Sequence, residues 1–169
     1  MSQPKAENFT QKGWEAILLG KELTQKLKNQ YIEPEHLLSV LIDNNEFIRE
    51  IFKKTGASIS LLKVDLNQNM ESLPKLKTSP DSIYLSKALQ KVLTEANTYK
   101  DSFGDQYIST EHLLLGVASC KNPSKEILNN AKISKEDLLS TIKEVRGSLV
   151  ISDQNPEGKY QSLQKYGRD

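Results

Sequence analysis

Apolar residues fall on a helical period in two long stretches of the chain. The first runs Phe9, Gly13, Ala16, Gly20, Leu23, Leu27, and the second Leu85, Leu89, Val92, Ala96, Tyr99, Phe103. Steps of four and three residues in alternation place each set along one face of a long helix. Every member of the second set lies 76 residues after its counterpart in the first. The same offset carries Tyr31-Ile32-Glu33-Pro34-Glu35-His36-Leu37-Leu38 onto Tyr107-Ile108-Ser109-Thr110-Glu111-His112-Leu113-Leu114, and Ile51, Phe52, Leu62 and Leu66 onto Ile127, Leu128, Leu138 and Ile142. No insertion interrupts the register. The chain is therefore a duplicated unit, and stacked repeats bury their apolar faces against each other.

Helix punctuation recurs within each copy. Thr10 and Ser86 suit the N-caps of the two long helices, with Phe9 and Trp14 spaced for a hydrophobic staple across the first. Pro34 fits the first turn of a second helix, and Ser109 is the cap at the matching point. Gly56 ends a third helix, Ser58 or Ser60 opens a fourth that runs to about Met70, and Ser134 caps its equivalent. The expected fold is all-α, with two pseudo-symmetric tandem four-helix repeats (about 9–72 and 85–148), eight helices in all, packed as one domain over residues 1–150. Leu73 to Asp81, with two prolines, joins the copies, and Gly147 closes the last helix. Ser152 to Lys159 has the composition of a linker, and 160–169 looks like the start of a further module.

Charge alters little: 23 basic residues stand against 22 acidic ones, for a net charge of +1. This balance gives neither the basic footprint of a nucleic-acid binder nor a polybasic membrane patch. No apolar run is long enough to span a bilayer. One cysteine, Cys120, forms no internal disulfide, and with no secretion signal at the N-terminus the cytoplasm is the expected compartment.

Catalytic chemistry is not legible. No phosphate-binding loop or dinucleotide fingerprint occurs. Ser60-Leu61-Leu62-Lys63 and Lys54-Thr55-Gly56 mimic motifs of penicillin-binding enzymes, but in reversed order and without the strands those motifs need. Cys120 lacks a nucleophile's surroundings. His36 and His112 share one repeat position, which points to a structural role for both and not to a metal. The chain is expected to be a non-enzyme with no cofactor of its own.

The paired Tyr-Ile-x-x-Glu-His-Leu-Leu segments and the opening Phe9-Thr10 resemble the Clp N-terminal domain family over about residues 6–148. The tail Asp153 to Tyr160, followed by Leu163 to Asp169, is most similar to the linker of ClpB-type AAA+ disaggregases. The resemblance implies a domain that engages unfolded or aggregated polypeptides and passes them to a motor. The full-length parent would be an ATP- and magnesium-dependent homohexamer working with an Hsp70-type system, whereas the domain alone would be a monomer. Adaptor docking, as in ClpC- and ClpA-type unfoldases, is the alternative. By the same resemblance Thr10, Asp105 and Glu111 are tied to client handling. Trp14, Leu93 and Tyr99, lying on or beside the stripes, are expected to form exposed groove walls. Gly13 stands where relatives carry a larger apolar residue, which either makes room for Trp14 or shrinks the local pocket.

Overall fold

The structure, a computed structural model, describes residues 3–156. A single 3₁₀ turn, Ala6–Asn8, precedes α1 (Gln11–Lys26), β1 (Tyr31–Ile32), α2 (Pro34–Asn44), α3 (Glu46–Lys54) and α4 (Ile59–Glu71). The second copy follows as β2 (Tyr84–Leu85), α5 (Lys87–Ser102), α6 (Thr110–Ser119), α7 (Pro123–Asn130) and α8 (Lys135–Arg146). Both ends of α5 lie 76 residues after those of α1, so the sequence offset is also a structural one. The fold class is the all-α double repeat expected.

Local chemistry explains the helix boundaries. Thr10 accepts from the Gly13 amide at 3.0 Å, Ser86 from the Leu89 amide at 3.0 Å, and Ser134 from the Asp137 amide at 3.0 Å. Of the two serines proposed to open α4, Ser58 is the cap. Phe9 and Trp14 make the staple, their ring centroids 5.5 Å apart. Two turn positions adopt the left-handed region in both copies: Lys28 (φ 61°) matches Gly104 (φ 73°), and Gly56 (φ 81°) matches Lys132 (φ 63°). Each turn thus has the residue best suited to it in one copy and a strained lysine in the other.

The repeats are tied by a reciprocal strand exchange. β1 of the first copy pairs in parallel with β2, which opens the second copy, in the register Tyr31 with Tyr84 and Ile32 with Leu85. The mate of this pairing is a bridge between Phe9 and Ile108, which are the 76-residue counterparts of Leu85 and Ile32. Ser86 N–H donates to the Ile32 carbonyl at 3.1 Å, just as Thr10 N–H donates to the Ile108 carbonyl at 2.9 Å. Each copy therefore supplies the segment before its first helix to the segment before the other copy's second helix. Gly13 belongs to this crossing. A Cβ there would stand 2.7 Å from the Ile108 carbonyl oxygen, which explains the small residue better than room for Trp14 does.

One apolar core runs through both copies, built from the stripes and from α2 and α6, the two most deeply buried helices. Leu66, Leu89, Val92, Leu114 and Leu138 are all fully enclosed.

Candidate functional site: a buried ion network beneath a C-terminal strap

The site grows from the duplicated histidine. At the start of α2 the Glu33 amide donates to His36 Nδ1 at 2.9 Å, and at the start of α6 the Ser109 amide donates to His112 Nδ1 at 2.9 Å. A ring nitrogen that accepts from an amide is unprotonated, so in each ring Nε2 carries the hydrogen. His36 Nε2 donates to Asn29 Oδ1 at 2.9 Å, and His112 Nε2 donates to Asp105 Oδ2 at 2.8 Å. Asn29 and Asp105 are themselves 76 residues apart. Both histidines are buried and serve to close the turn preceding their helix.

The two copies part at this point. Asp105 carries a charge where Asn29 does not, and Arg146 answers it from the end of α8, donating Nη1 to Oδ2 at 2.7 Å and Nη2 to Oδ1 at 2.8 Å. The same guanidinium lies 4.9 Å above the Phe103 ring, with its Nε 3.6 Å from Glu111 Oε2. The Ser109 hydroxyl donates to the other Glu111 oxygen. Burial opposes ionisation of Asp105, but the bonds from His112, Arg146 and the Ile151 amide outweigh it and hold the carboxyl down to about 2. In the first copy the counterpart of Arg146 is Met70, and the counterpart of Glu111 is Glu35. Glu35 is 1 % exposed, its Oε1 has no hydrogen-bond partner among the described residues, and burial pushes its carboxyl up to about 7. His36, without a carboxylate, is held by burial down to about 4. One copy thus holds an ion pair, and the other, on the same frame, an uncharged Asn29–His36 pair beside a carboxyl that burial holds up to about 7.

A strap crosses the charged network. After Gly147 turns the chain at φ 62°, Arg146 Nη2 donates to the Leu149 carbonyl at 3.0 Å. Ile151, fully buried, donates its amide to Asp105 Oδ1 at 2.8 Å and accepts from the Gln106 amide at 2.9 Å. Further on, the Gln154 carbonyl accepts from the Gln11 amide at 2.7 Å, and Gln154 Nε2 donates to the Phe9 carbonyl at 3.0 Å. Part of the segment expected to be a free linker, 152–156, is therefore tied to the body; the remainder of that linker and the expected start of a further module lie outside the described residues.

The candidate residues of the sequence are distributed unevenly over this arrangement. Asp105 and Glu111 meet at Arg146, whereas Thr10 lies on the neighbouring crossing, its amide bonded to the Ile108 carbonyl. All three are buried, Thr10 and Glu111 completely. Leu93 is also fully buried and forms no exposed groove wall, contrary to expectation. It lies one position beside the stripe, and a core-facing helix buries a sector wider than a single row. Trp14 and Tyr99 are half-buried, Tyr99 donating to or accepting from Ser119 Oγ at 2.7 Å. Sequence reasoning passed over Arg146, whose position in the last turn of a helix suits a solvated dipole partner equally well. It also passed over Tyr31 and Tyr84, which stand 51 % and 58 % exposed side by side on the short sheet.

The Clp repeat (R) N-terminal domain family matches residues 8–131. A chaperone protein ClpB of Prochlorococcus marinus is 43 % identical over 165 residues, covering 98 % of this chain and 19 % of the relative. A chaperone protein ClpB 2 of Synechocystis is 42 % identical over 168 residues, covering 99 % of this chain and again 19 % of the relative. The chain thus spans about a fifth of the length of these curated relatives. Among solved structures, the Hsp104 N-terminal domain of Candida albicans superposes with a TM-score of 0.79 at 25 % identity, over 87 % of this chain and 97 % of that one. The N-terminal domain of ClpD from Arabidopsis thaliana gives 0.64 at 18 % identity, over 87 % of this chain and all of that one, a likeness of fold.

Proposed function

We propose, from the premise that the chain belongs to the Clp repeat (R) N-terminal domain family, that it is the client-engaging N-terminal domain of a ClpB-type protein disaggregase. One observation carries the reading. The similarity to ClpB chaperones does not stop with the repeats but runs over 98 % of the chain, through the strap and the tail beyond it. The motor, its ATP and magnesium, the homohexamer and the Hsp70-type partner belong to this reading of the full-length protein, as does the cytoplasm as its compartment.

In this reading the domain captures unfolded or aggregated polypeptide and releases it to the motor. Weak capture suits the task, because a tightly held chain is not passed on. Raising the local concentration of client on a tether contributes more than affinity does. The half-exposed aromatics Trp14 and Tyr99 offer apolar contact near the ends of the long helices, and Tyr31 with Tyr84 add an open aromatic pair. Thr10 and Glu111, fully buried, act by shaping the surface above them. In this reading Ile151 and Gln154, both bonded to the body, belong to the domain together with residues 1–150.

The test is fluorescence anisotropy with labelled lactalbumin in two forms, native and reduced-carboxymethylated. Weak binding of the unfolded form alone is the expected result. Saturable one-to-one binding of a folded partner, with none of the unfolded chain, would replace this reading by adaptor docking.

A further inference from the structure

The strap is held like a bound peptide. Its contacts with the body include the Leu149 carbonyl on Arg146, two main-chain groups bonded at Ile151, one at Gln154, the Gln154 amide side chain and the enclosed Ile151 side chain. Just before Ile151 it lies more loosely. Val150 is 58 % exposed, and a cavity of about 310 Å³ opens beside Leu149, lined by Ser102, Phe103, Lys143 and Arg146. The groups that receive it belong to the body. Asp105 stays fixed by Arg146 and His112, while the Gln106 and Gln11 amides sit at the turn before α6 and the first position of α1. Together they present an anionic acceptor for an amide, two amide donors for carbonyls, and an apolar socket.

We propose that this socket is a docking site for a polypeptide segment bearing a branched apolar residue, and that Leu149 to Gln154 occupies it in cis until such a segment displaces it. The inference rests on the client-binding reading and specifies where the client sits. The strap itself is the template for the occupant: a main-chain amide reaching Asp105 Oδ1, a carbonyl accepting from Gln106, and an Ile-like side chain between them. Unfolded chains supply all three groups, whereas folded proteins keep them paired internally. The buried Asp105 thereby acquires contact with the client through the bond it now accepts from the Ile151 amide. Strap release also frees chain between the domain and whatever follows it, so capture and mobility are coupled.

Hydrogen exchange on the full chain, with and without reduced-carboxymethylated lactalbumin, tests this alongside binding to two strap variants. Ile151→Ser empties the socket, and Gln154→Ala removes only the surface bonds to Phe9 and Ala6, leaving the core intact. Displacement predicts that the unfolded chain speeds exchange of the Ile151 amide while Leu114, in the core of α6, remains protected. Both variants should bind it more tightly, by about tenfold for a site largely closed in the parent, since apparent affinity falls with the fraction of competent molecules. If the unfolded chain binds parent and variants equally and Ile151 stays protected, the cis-occupied site is wrong while client binding stands. No binding to any of the three forms overturns both.

Discussion

Replacing Arg146 by methionine, the residue at the equivalent place in the first repeat, strips the cation from two buried carboxylates at once. The side chains of Asp105 and Glu111 have no exposure, so water cannot stand in for the guanidinium. Asp105, held at about 2 against an ordinary 3.8, contributes about 2.4 kcal/mol of stability at neutral pH. Because its folded value is depressed, that contribution is complete above pH 4 and disappears as the pH falls toward 2. Removing one member of a buried pair costs about 3–5 kcal/mol, most of it the penalty of the charge left behind. Arg146→Met should therefore lose that amount in urea unfolding at pH 7, with an unchanged m-value. The double variant Asp105→Asn/Arg146→Met places at these two positions the uncharged residues of the first repeat, Asn29 and Met70, and the Asn29 amide oxygen accepts from a histidine. It should be the more stable of the two by about 1–2 kcal/mol, because Glu111 alone is then left without the cation. A double variant no more stable than Arg146→Met alone would refute the reasoning, since the two side chains would then contribute independently.

Other consequences follow from the duplicated frame. Gly13→Ala drives a methyl against the Ile108 carbonyl and should cost about 1–3 kcal/mol, whereas Gly20→Ala meets only ordinary contacts at 3.8 Å and should gain up to about 1 kcal/mol, both read from thermal unfolding. Lys28→Gly and Lys132→Gly relieve left-handed turns and should each stabilise by about 0.5–1 kcal/mol; loss of stability in both would contradict the strain assigned to them. Glu35, raised to about 7 from 4.5, costs stability as the pH rises between those values, while His36, lowered to about 4 from 6.5, costs stability as the pH falls between its own. The two slopes offset each other across the shared window, so Glu35→Gln should expose the acid-side loss of His36 in urea unfolding at pH 4.5, 5.5 and 7.5; a profile parallel to the parent's would exclude the buried carboxylic acid.

The helical skeleton was legible because its signal is periodic and doubled. The stripe from Leu89 to Ala96 could be checked against its counterpart from Gly13 to Gly20, and the bounds of α5 reproduce those of α1 at the same offset. The strand exchange was hidden because two residues carry no period, and Phe9 and Leu85 served equally well as the first turns of the stripes. Asp105 and Glu111 were marked by the family resemblance and not by any pattern, and the partner that explains them, Arg146, lies 41 residues beyond Asp105 in a helix end where a basic residue needs no special reason. Ser152 to Lys159 has the composition of a linker, and its described part, 152–156, is irregular backbone. What composition could not convey is that Ile151 and Gln154 anchor it, since a lone isoleucine beside polar residues has no pattern.

An amide NMR titration of the chain with reduced-carboxymethylated lactalbumin tests the central claim most directly. The account predicts fast-exchange shifts gathered at Gln11, Trp14, Gln106 and Ile151, the face where the strap crosses the junction of the repeats. Unchanged spectra at saturating unfolded chain, or shifts confined to other faces, would contradict it.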